Sequence, residues 1–264
     1  MRFPPLCTNL LFGRENDGEI LNVQNISELY EVVGVSTDQA IPPVPDHSLL
    51  VRIPDPLEFL FWYLETQIDL DQEFSEWMAM PDADSLDPEI LETLTEVQAM
   101  AGSRQMKYEP PNGDIYIRGR WFADGLSRAM IGFSESMYAM GSAAEDVTFH
   151  RISLSDAEDI PMFYADIASI NAKIDESKKS LAVELLNLIT GPEVMTQAIA
   201  PSKESQNPQY LFSARMSVYD ALSADYPVYE KMKEIAADPK SRVFIIQPSG
   251  RALVSEAARA FERK

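Results

Sequence analysis

The sequence predicts an α/β fold in which strands and helices interleave along the chain, and three observations carry that prediction. Short apolar runs of strand type recur between helical patterns, at Leu10–Gly13, Leu49–Ile53, Ile115–Gly119, Ile160–Ile170 and Val243–Ile246, and neither class segregates to one part of the chain. The connections between them are long, one of them the proline-rich Ile41-Pro42-Pro43-Val44-Pro45, which cannot be helix interior. The 264 residues are 45% hydrophobic and 24% charged, an ordinary globular composition with room for one large or two modest domains. In such folds, ligand crevices lie at strand ends.

The elements follow in order. Leu10-Leu11-Phe12-Gly13 reads as a strand, Arg14 to Glu19 as a turn, and Ile20-Leu21-Asn22-Val23 as its partner strand. Asn25 to Val33 reads as a short helix with Ser27 as its N-cap. From Asp55 the pattern turns helical, with Leu57, Leu60, Phe61 and Leu64 on one face and Pro56 in the first turn. Acidic segments follow around Asp69 to Trp77 and Asp82 to Met100. In the second, Asp87-Pro88-Glu89 opens a helix carrying Ile90, Leu91, Leu94 and Val97. Ile115 to Gly119 alternates as a strand, and Trp121 to Ile131 reads as an amphipathic helix ended by Gly132. Glu135 then falls on a strand edge or loop, where functional groups are commonly carried. Lys178 to Ile189 is the strongest helix, with Leu181, Val183, Leu185, Leu186 and Leu188 in an apolar band closed by Gly191-Pro192. Further helices are expected over Glu193–Ala200, Pro208–Ala221, Pro227–Ala237 and Arg251–Arg263. There is no internal repeat and no low-complexity tract.

Charge and motifs narrow the chemistry. A net charge of −20 argues against nucleic acid and against anionic membrane surfaces, and suits solubility or a cationic small ligand. No run approaches the length of a membrane span. One cysteine excludes an internal disulfide. A lipoprotein reading of Cys7 is set aside, since Pro4 and Pro5 occupy the place of the required apolar stretch. There is no dinucleotide or phosphate loop. Gly132-Phe133-Ser134-Glu135-Ser136 resembles a nucleophile elbow without its closing glycine. His47 and His150 stand in separate surroundings, which argues against a catalytic triad and leaves a histidine metal site short of ligands. The acidic residues show no calcium-loop spacing.

What remains is a thiol and a carboxylate. Cys7 lies in Leu6-Cys7-Thr8-Asn9-Leu10-Leu11-Phe12, and Glu135 follows 128 positions later in Gly132-Phe133-Ser134-Glu135-Ser136-Met137. A lone thiol is inert until something generates its thiolate, and a nearby carboxylate is one of few groups able to do so. On residue chemistry alone, a small buried hydrophobe and a solvated glutamate account for the same two residues.

The stretch from Lys178 to Gly191-Pro192-Glu193, with Tyr210 to Asp238, resembles the C-terminal part of type II periplasmic solute-binding proteins. Joined to the Cys7 and Glu135 motifs, it makes the chain similar to the thiaminase I (thiamine pyridinylase) family, which is built on that fold. The resemblance runs from Cys7 to the C-terminus. It implies a two-lobed type II periplasmic-binding-protein-like architecture, with roughly 8–157 and 206–264 in the second lobe and roughly 158–205 in the first. The family's cysteine lies well inside its chain whereas here it is seventh, so the fold is expected to be N-terminally incomplete.

By the same resemblance, Cys7 is the nucleophile that adds to the pyrimidine of thiamine and helps expel the thiazole. Glu135 is the acid/base that takes the thiol proton and later activates the incoming amine or thiol. Tyr116 matches an aromatic pocket wall, and Tyr164 and Asp166 match residues that contact the aminopyrimidine. Phe133 stands where a tyrosine is expected. Read as residues alone, Tyr116, Tyr164 and the three tryptophans, Trp62, Trp77 and Trp121, suit core positions equally well. The resemblance implies no cofactor and no metal, a monomer, and a secreted or periplasmic protein. Two other readings stay open: a non-catalytic solute-binding protein for thiamine or a similar ligand, and an inactive remnant.

Overall fold

The computed structural model describes residues 2–7, 9–36, 49–51, 62, 87–154, 162–203, 205–244, 256, 258 and 259, with the backbone alone at 2–7, 111, 162, 164–167 and 242–244. Arg2–Cys7 (β1) leads through Asn9 into Leu10–Arg14 (β2), followed by two helices, Gly18–Leu21 (α1) and Ile26–Val33 (α2). The partner strand expected over Ile20–Val23 is thus a helical turn. Asp17 starts it by accepting a hydrogen bond from the Ile20 amide at 3.3 Å. Asn25, not Ser27, caps α2: its side chain accepts from the Glu28 amide at 2.8 Å, while the Glu28 carboxylate accepts from the Gln24 amide at 2.7 Å.

Leu49–Val51 (β3) and Pro88–Ala101 (α3) follow, and Asp87 caps α3 through the Glu89 amide at 2.9 Å. Beyond Ser103–Met106 (α4), Ile117–Ala123 (α5) and Ala129–Gly132 (β4) depart from expectation. The strand expected at Ile115–Gly119 is a turn entering α5, and the helix expected to Ile131 ends at Ala123. Asp114 explains the first departure. Its side chain accepts from the Tyr116 amide at 3.1 Å and its carbonyl from the Ile117 amide at 3.4 Å, and it pairs with Arg120. That local capping outweighs the β propensity of Ile115 and Ile117. Gly125, at φ +78°, turns the chain away from helix and frees Ala129–Gly132 to pair as a strand.

A run of 3₁₀ turns from Ser134 to Asp146, kinked at Gly141 (φ 60°), joins β4 to Val147–Arg151 (β5). Glu135 is therefore on neither a strand edge nor an open loop, but in the first of these turns. Met162–Ile167 (β6), Glu176–Ile189 (α6), Pro192–Ile199 (α7), Met216–Ser223 (α8), Val228–Ala237 (α9) and Arg242–Phe244 (β7) complete the described elements. The apolar band of α6 faces outward, with Leu181 68% and Leu188 62% exposed, and none of its residues is buried. The helix expected from Asp55, the proline-rich connection and most of the C-terminal helix lie outside the described residues. Trp62 is helical and buried.

The strands form a four-stranded sheet, β3-β4-β2-β5, and a three-stranded sheet, β1-β6-β7. In the larger sheet β2 runs antiparallel to β4 and β5, and β3 runs parallel to β4. Its side chains alternate between two cores. Leu11, Leu49, Val51, Ala129 and Ile131 pack with residues of α1, α2 and α3, and Leu10, Phe12, Leu50, Met130 and Phe149 with residues of α5, α8 and α9. Both faces are covered, which is why these strands read as continuous apolar runs rather than alternating ones.

Two features hold the sheet's edges. The buried Gln105 side chain accepts from the Val51 amide at 2.8 Å and donates to the Leu49 carbonyl at 2.8 Å and to the Ala101 carbonyl at 2.9 Å. It thereby acts as a one-residue strand on the edge of β3. Gln105→Leu keeps the volume but strands those backbone groups, and is expected to cost about 2–4 kcal/mol of unfolding free energy; a urea midpoint unchanged from wild type would refute the role.

On β5, half-buried His150 donates through Nε2 to the Val23 carbonyl at 2.6 Å. Burial, and to a lesser degree the Lys231 charge, hold the imidazole pKa below its usual value, against the opposing pull of that hydrogen bond. The unfolded chain then takes up the proton first as pH falls. Stability is expected to be full above about pH 6.5 and to decline below it, through the lowered folded pKa. His150→Gln should flatten that part of the stability profile; an unaltered slope between pH 7 and 5 would count against the assignment.

Candidate active site

The site is built where the two sheets hand the chain to one another. β1 ends at Cys7 in the three-stranded sheet, and Asn9 carries the chain into β2 of the four-stranded sheet. Asn9 also ties the two crossings together. Its side-chain amide donates to the Ile152 carbonyl at 2.9 Å, and its own carbonyl accepts from the Ile152 amide at 3.0 Å. Ile152 follows β5, on the path back toward β6, so both crossings are clamped two residues beyond Cys7.

Glu135 follows β4. Leu10, the first residue of β2, pairs with Gly132, the last of β4. Cys7 precedes Leu10 by three residues and Glu135 follows Gly132 by three, so both run off one end of the larger sheet. Each is about 10 Å of chain from a hydrogen-bonded neighbour. Glu135 is 7% exposed, between Ser134 and Ser136, which are fully buried. The Ser136 amide donates to the Phe133 carbonyl at 3.0 Å, closing the first turn and fixing the backbone around Glu135. The Ser134 and Ser136 hydroxyls have no hydrogen-bond partner among the described residues. A carboxylate so shielded exchanges its proton with a bound group more readily than with bulk water.

The remaining predicted residues are placed with different completeness. Cys7 pairs with Phe163 and Leu6 with Tyr164 in the antiparallel β1–β6 register, so Tyr164 sits one position along from the cysteine's strand partner. Asp166 lies two residues further along β6. For Cys7, Tyr164 and Asp166 it is the backbone that is described. Phe163, buried, meets Phe212 edge-on at 5.2 Å and anchors this part of β6 to the core. Tyr116, half-buried, precedes α5 as its N-cap. α5 packs against the 3₁₀ run that carries Glu135.

Sequence reasoning missed two residues of α5 because it took Ile115–Gly119 for a strand. Gly119 lies against the Ser136 backbone. Arg118, buried, donates to the Gln105 carbonyl at 2.9 Å and stands 6.0 Å from the centre of the Trp121 ring. The signal available was the helical spacing of Arg118 with Trp121 and Phe122, which a strand does not place on one side. Trp121 itself packs against the core, as does Trp62, and Trp77 lies outside the described residues.

A cavity of about 430 Å³ lies between Glu15, Met137, Val147, Tyr210, Tyr226 and Lys231. Its wall at Glu15 and Val147 lies at the opposite end of the sheet from Leu10 and Gly132, where Arg14 pairs with Val147. Met137, two residues from Glu135, lines it on the side of the 3₁₀ run. Among the described residues no group of three or more His, Cys, Asp or Glu is arranged to hold a metal ion. Among them, too, no helix is long and apolar enough to cross a membrane.

Comparison with known proteins places the chain in a family. Residues 8–155 match the Thiaminase-1 domain. Over 252 residues the chain is 40% identical to the Thiaminase-1 of Paenibacillus thiaminolyticus, a match covering 96% of this chain and 61% of that protein. The chain therefore spans less than two thirds of that relative's length. Clostridium botulinum thiaminase I, solved in complex with thiamin, superposes with a TM-score of 0.90 at 36% identity, over 99% of this chain and 72% of that one. The maltose/maltodextrin-binding domain from Bdellovibrio bacteriovorus, bound to maltotriose, superposes with a TM-score of 0.64 at 13% identity, over 98% of this chain and 66% of that one. At that identity the likeness is one of fold, that of the solute-binding proteins.

Proposed function

Since the chain belongs to the thiaminase-1 family, we propose that it is a thiamine pyridinylase, a transferase that moves the pyrimidinylmethyl group of thiamine from its thiazole to an organic amine or thiol. The observation that carries this reading is the pairing of strand ends: Leu10 with Gly132, three residues from Cys7 on one side and from a buried Glu135 on the other.

In the first half-reaction Glu135 takes the thiol proton of Cys7. The thiolate bonds to the pyrimidine carbon beside the one that bears the methylene. The electron pair thereby released from the ring breaks the methylene–nitrogen bond, and thiazole leaves with that bond's electrons, neutralising its cationic nitrogen. Glu135 releases that proton before the second half-reaction, in which it takes a proton from the acceptor as the acceptor bonds to the methylene. The ring–sulfur bond breaks with its electrons on sulfur, and Glu135 returns the proton to the Cys7 thiolate. One proton is released per turnover when the acceptor is neutral. The roles assigned to Cys7 and Glu135 need nothing beyond a nucleophile and a group that cycles protons.

Tyr116, Tyr164 and Asp166 complete the proposed pocket, the tyrosines as walls for the ring and Asp166 as acceptor for its exocyclic amine. The proposed lobe around Glu135 comprises roughly 8–157 with the helices after 206, and β7 returns the chain to the sheet of β1 and β6. We also infer a protein that works as a monomer outside the cytoplasm, in keeping with its solute-binding fold.

The direct test is thiamine consumption by the purified chain with an added amine or thiol. Formation of the pyrimidinylmethyl adduct of the acceptor, with release of thiazole, is expected. Thiamine bound but never consumed would favour a solute-binding protein on the same scaffold.

A further inference from the structure

We propose that Gly119 is a positioning residue for Glu135, holding the turn that carries the carboxylate through an absence of side chain; the proposal rests on the role given to Glu135 above. α5 lies so close to the 3₁₀ run that a Cβ at position 119 would stand 2.8 Å from the Ser136 carbonyl oxygen, and 3.6 Å from both its carbonyl carbon and its Cβ. Carbon and oxygen do not approach so closely, and the atom in the way is backbone, which cannot swing aside as a side chain can.

Gly119 does not have a left-handed φ, unlike Gly34, Gly113, Gly125 and Gly141. Its small size, rather than its backbone freedom, is therefore what the site requires. Because alanine is the better helix former inside a helix such as α5, intrinsic propensity favours the alanine variant. Any loss of function must come from the contact.

The contact bears on chemistry through Ser136. Ser136 adjoins Glu135, and Ser134, Glu135, Ser136 and Met137 are all buried. A turn packed on every side has no slack, so pushing the Ser136 carbonyl outward carries the neighbouring carboxylate with it. A displacement on the order of 1 Å at a catalytic group is worth about 100-fold in rate.

Gly119→Ala is therefore expected to lower kcat about 10- to 100-fold while KM stays within about threefold, and to move the limb of the kcat–pH profile that depends on Glu135. Gly18→Ala is the control. It lies at the start of α1 with nothing within 4 Å of its would-be Cβ, and its kinetics should match wild type. Glu135→Gln is measured beside them to separate the two claims. An inactive Glu135→Gln with a Gly119→Ala that keeps kcat within twofold and an unmoved pH profile overturns the positioning role alone. A fully active Glu135→Gln overturns both. Should Gly119→Ala fail to fold, Ser136→Gly loosens the same turn from its other side. It should lower kcat about three- to tenfold at unchanged KM, and unchanged kcat there overturns the proposal.

Discussion

Cys7→Ser is expected to lower thiamine turnover by about 10⁴-fold or more while leaving the fold intact. Serine keeps the size of the side chain, so the β1–β6 pairing of position 7 with Phe163 has no reason to change. What changes is nucleophilicity. A thiol at its ordinary pKa is already a few per cent thiolate near neutrality, whereas a serine hydroxyl is not ionised and would need far stronger activation than one carboxylate supplies. Thiamine affinity should survive, since the proposed pocket walls at Tyr116, Tyr164 and Asp166 are untouched. Comparing kcat with thiamine dissociation separates this from misfolding: both would collapse together in a misfolded variant. A serine variant with wild-type turnover would remove the nucleophile from the mechanism.

Glu135→Gln should cost about 10²- to 10⁴-fold in kcat, the usual range for a lost general acid/base. The change is isosteric, and the amide suits the buried turn sterically as well as the acid does. Because the residue is 7% exposed, bulk water has little access with which to replace the missing proton acceptor. The loss should appear in both half-reactions: release of thiazole slows, and the dependence on the pKa of the acceptor amine steepens once the enzyme no longer takes its proton. A variant slowed only in the second step would show that Cys7 loses its proton elsewhere.

Much of the scaffold was legible in the sequence, and the reasons are physical. β2 and β3 read correctly because continuous apolar runs bounded by turns have few other uses in a sheet covered on both faces. α3 and α6 read correctly from their Asp87-Pro88-Glu89 start and Gly191-Pro192 stop. The region 114–132 misread because periodicity there is ambiguous: Ile115 and Ile117 alternate as a strand would, and only the capping by Asp114 decides for helix. The same ambiguity hid Gly119, which lies against the Ser136 backbone of the Glu135 turn, and the buried Arg118. Cys7 and Glu135 were visible as a pair through their motifs and separation, not through any local property. What sets their flanking strands side by side is the Leu10–Gly132 register, a long-range fact that no window of sequence contains. The outward-facing leucines of α6 show the reverse limit, since an apolar band predicts burial but not what provides it.

The reaction proposed for this chain passes through a bond to the sulfur of Cys7. Mixing the chain with thiamine and a limiting acceptor, quenching in acid and measuring intact and peptide masses tests it directly. The mass of the pyrimidinylmethyl group on the peptide containing Cys7, rising as thiazole is released and falling when acceptor is added, is the predicted result. Thiazole release at the same rate with Cys7 unmodified at every time point would contradict it.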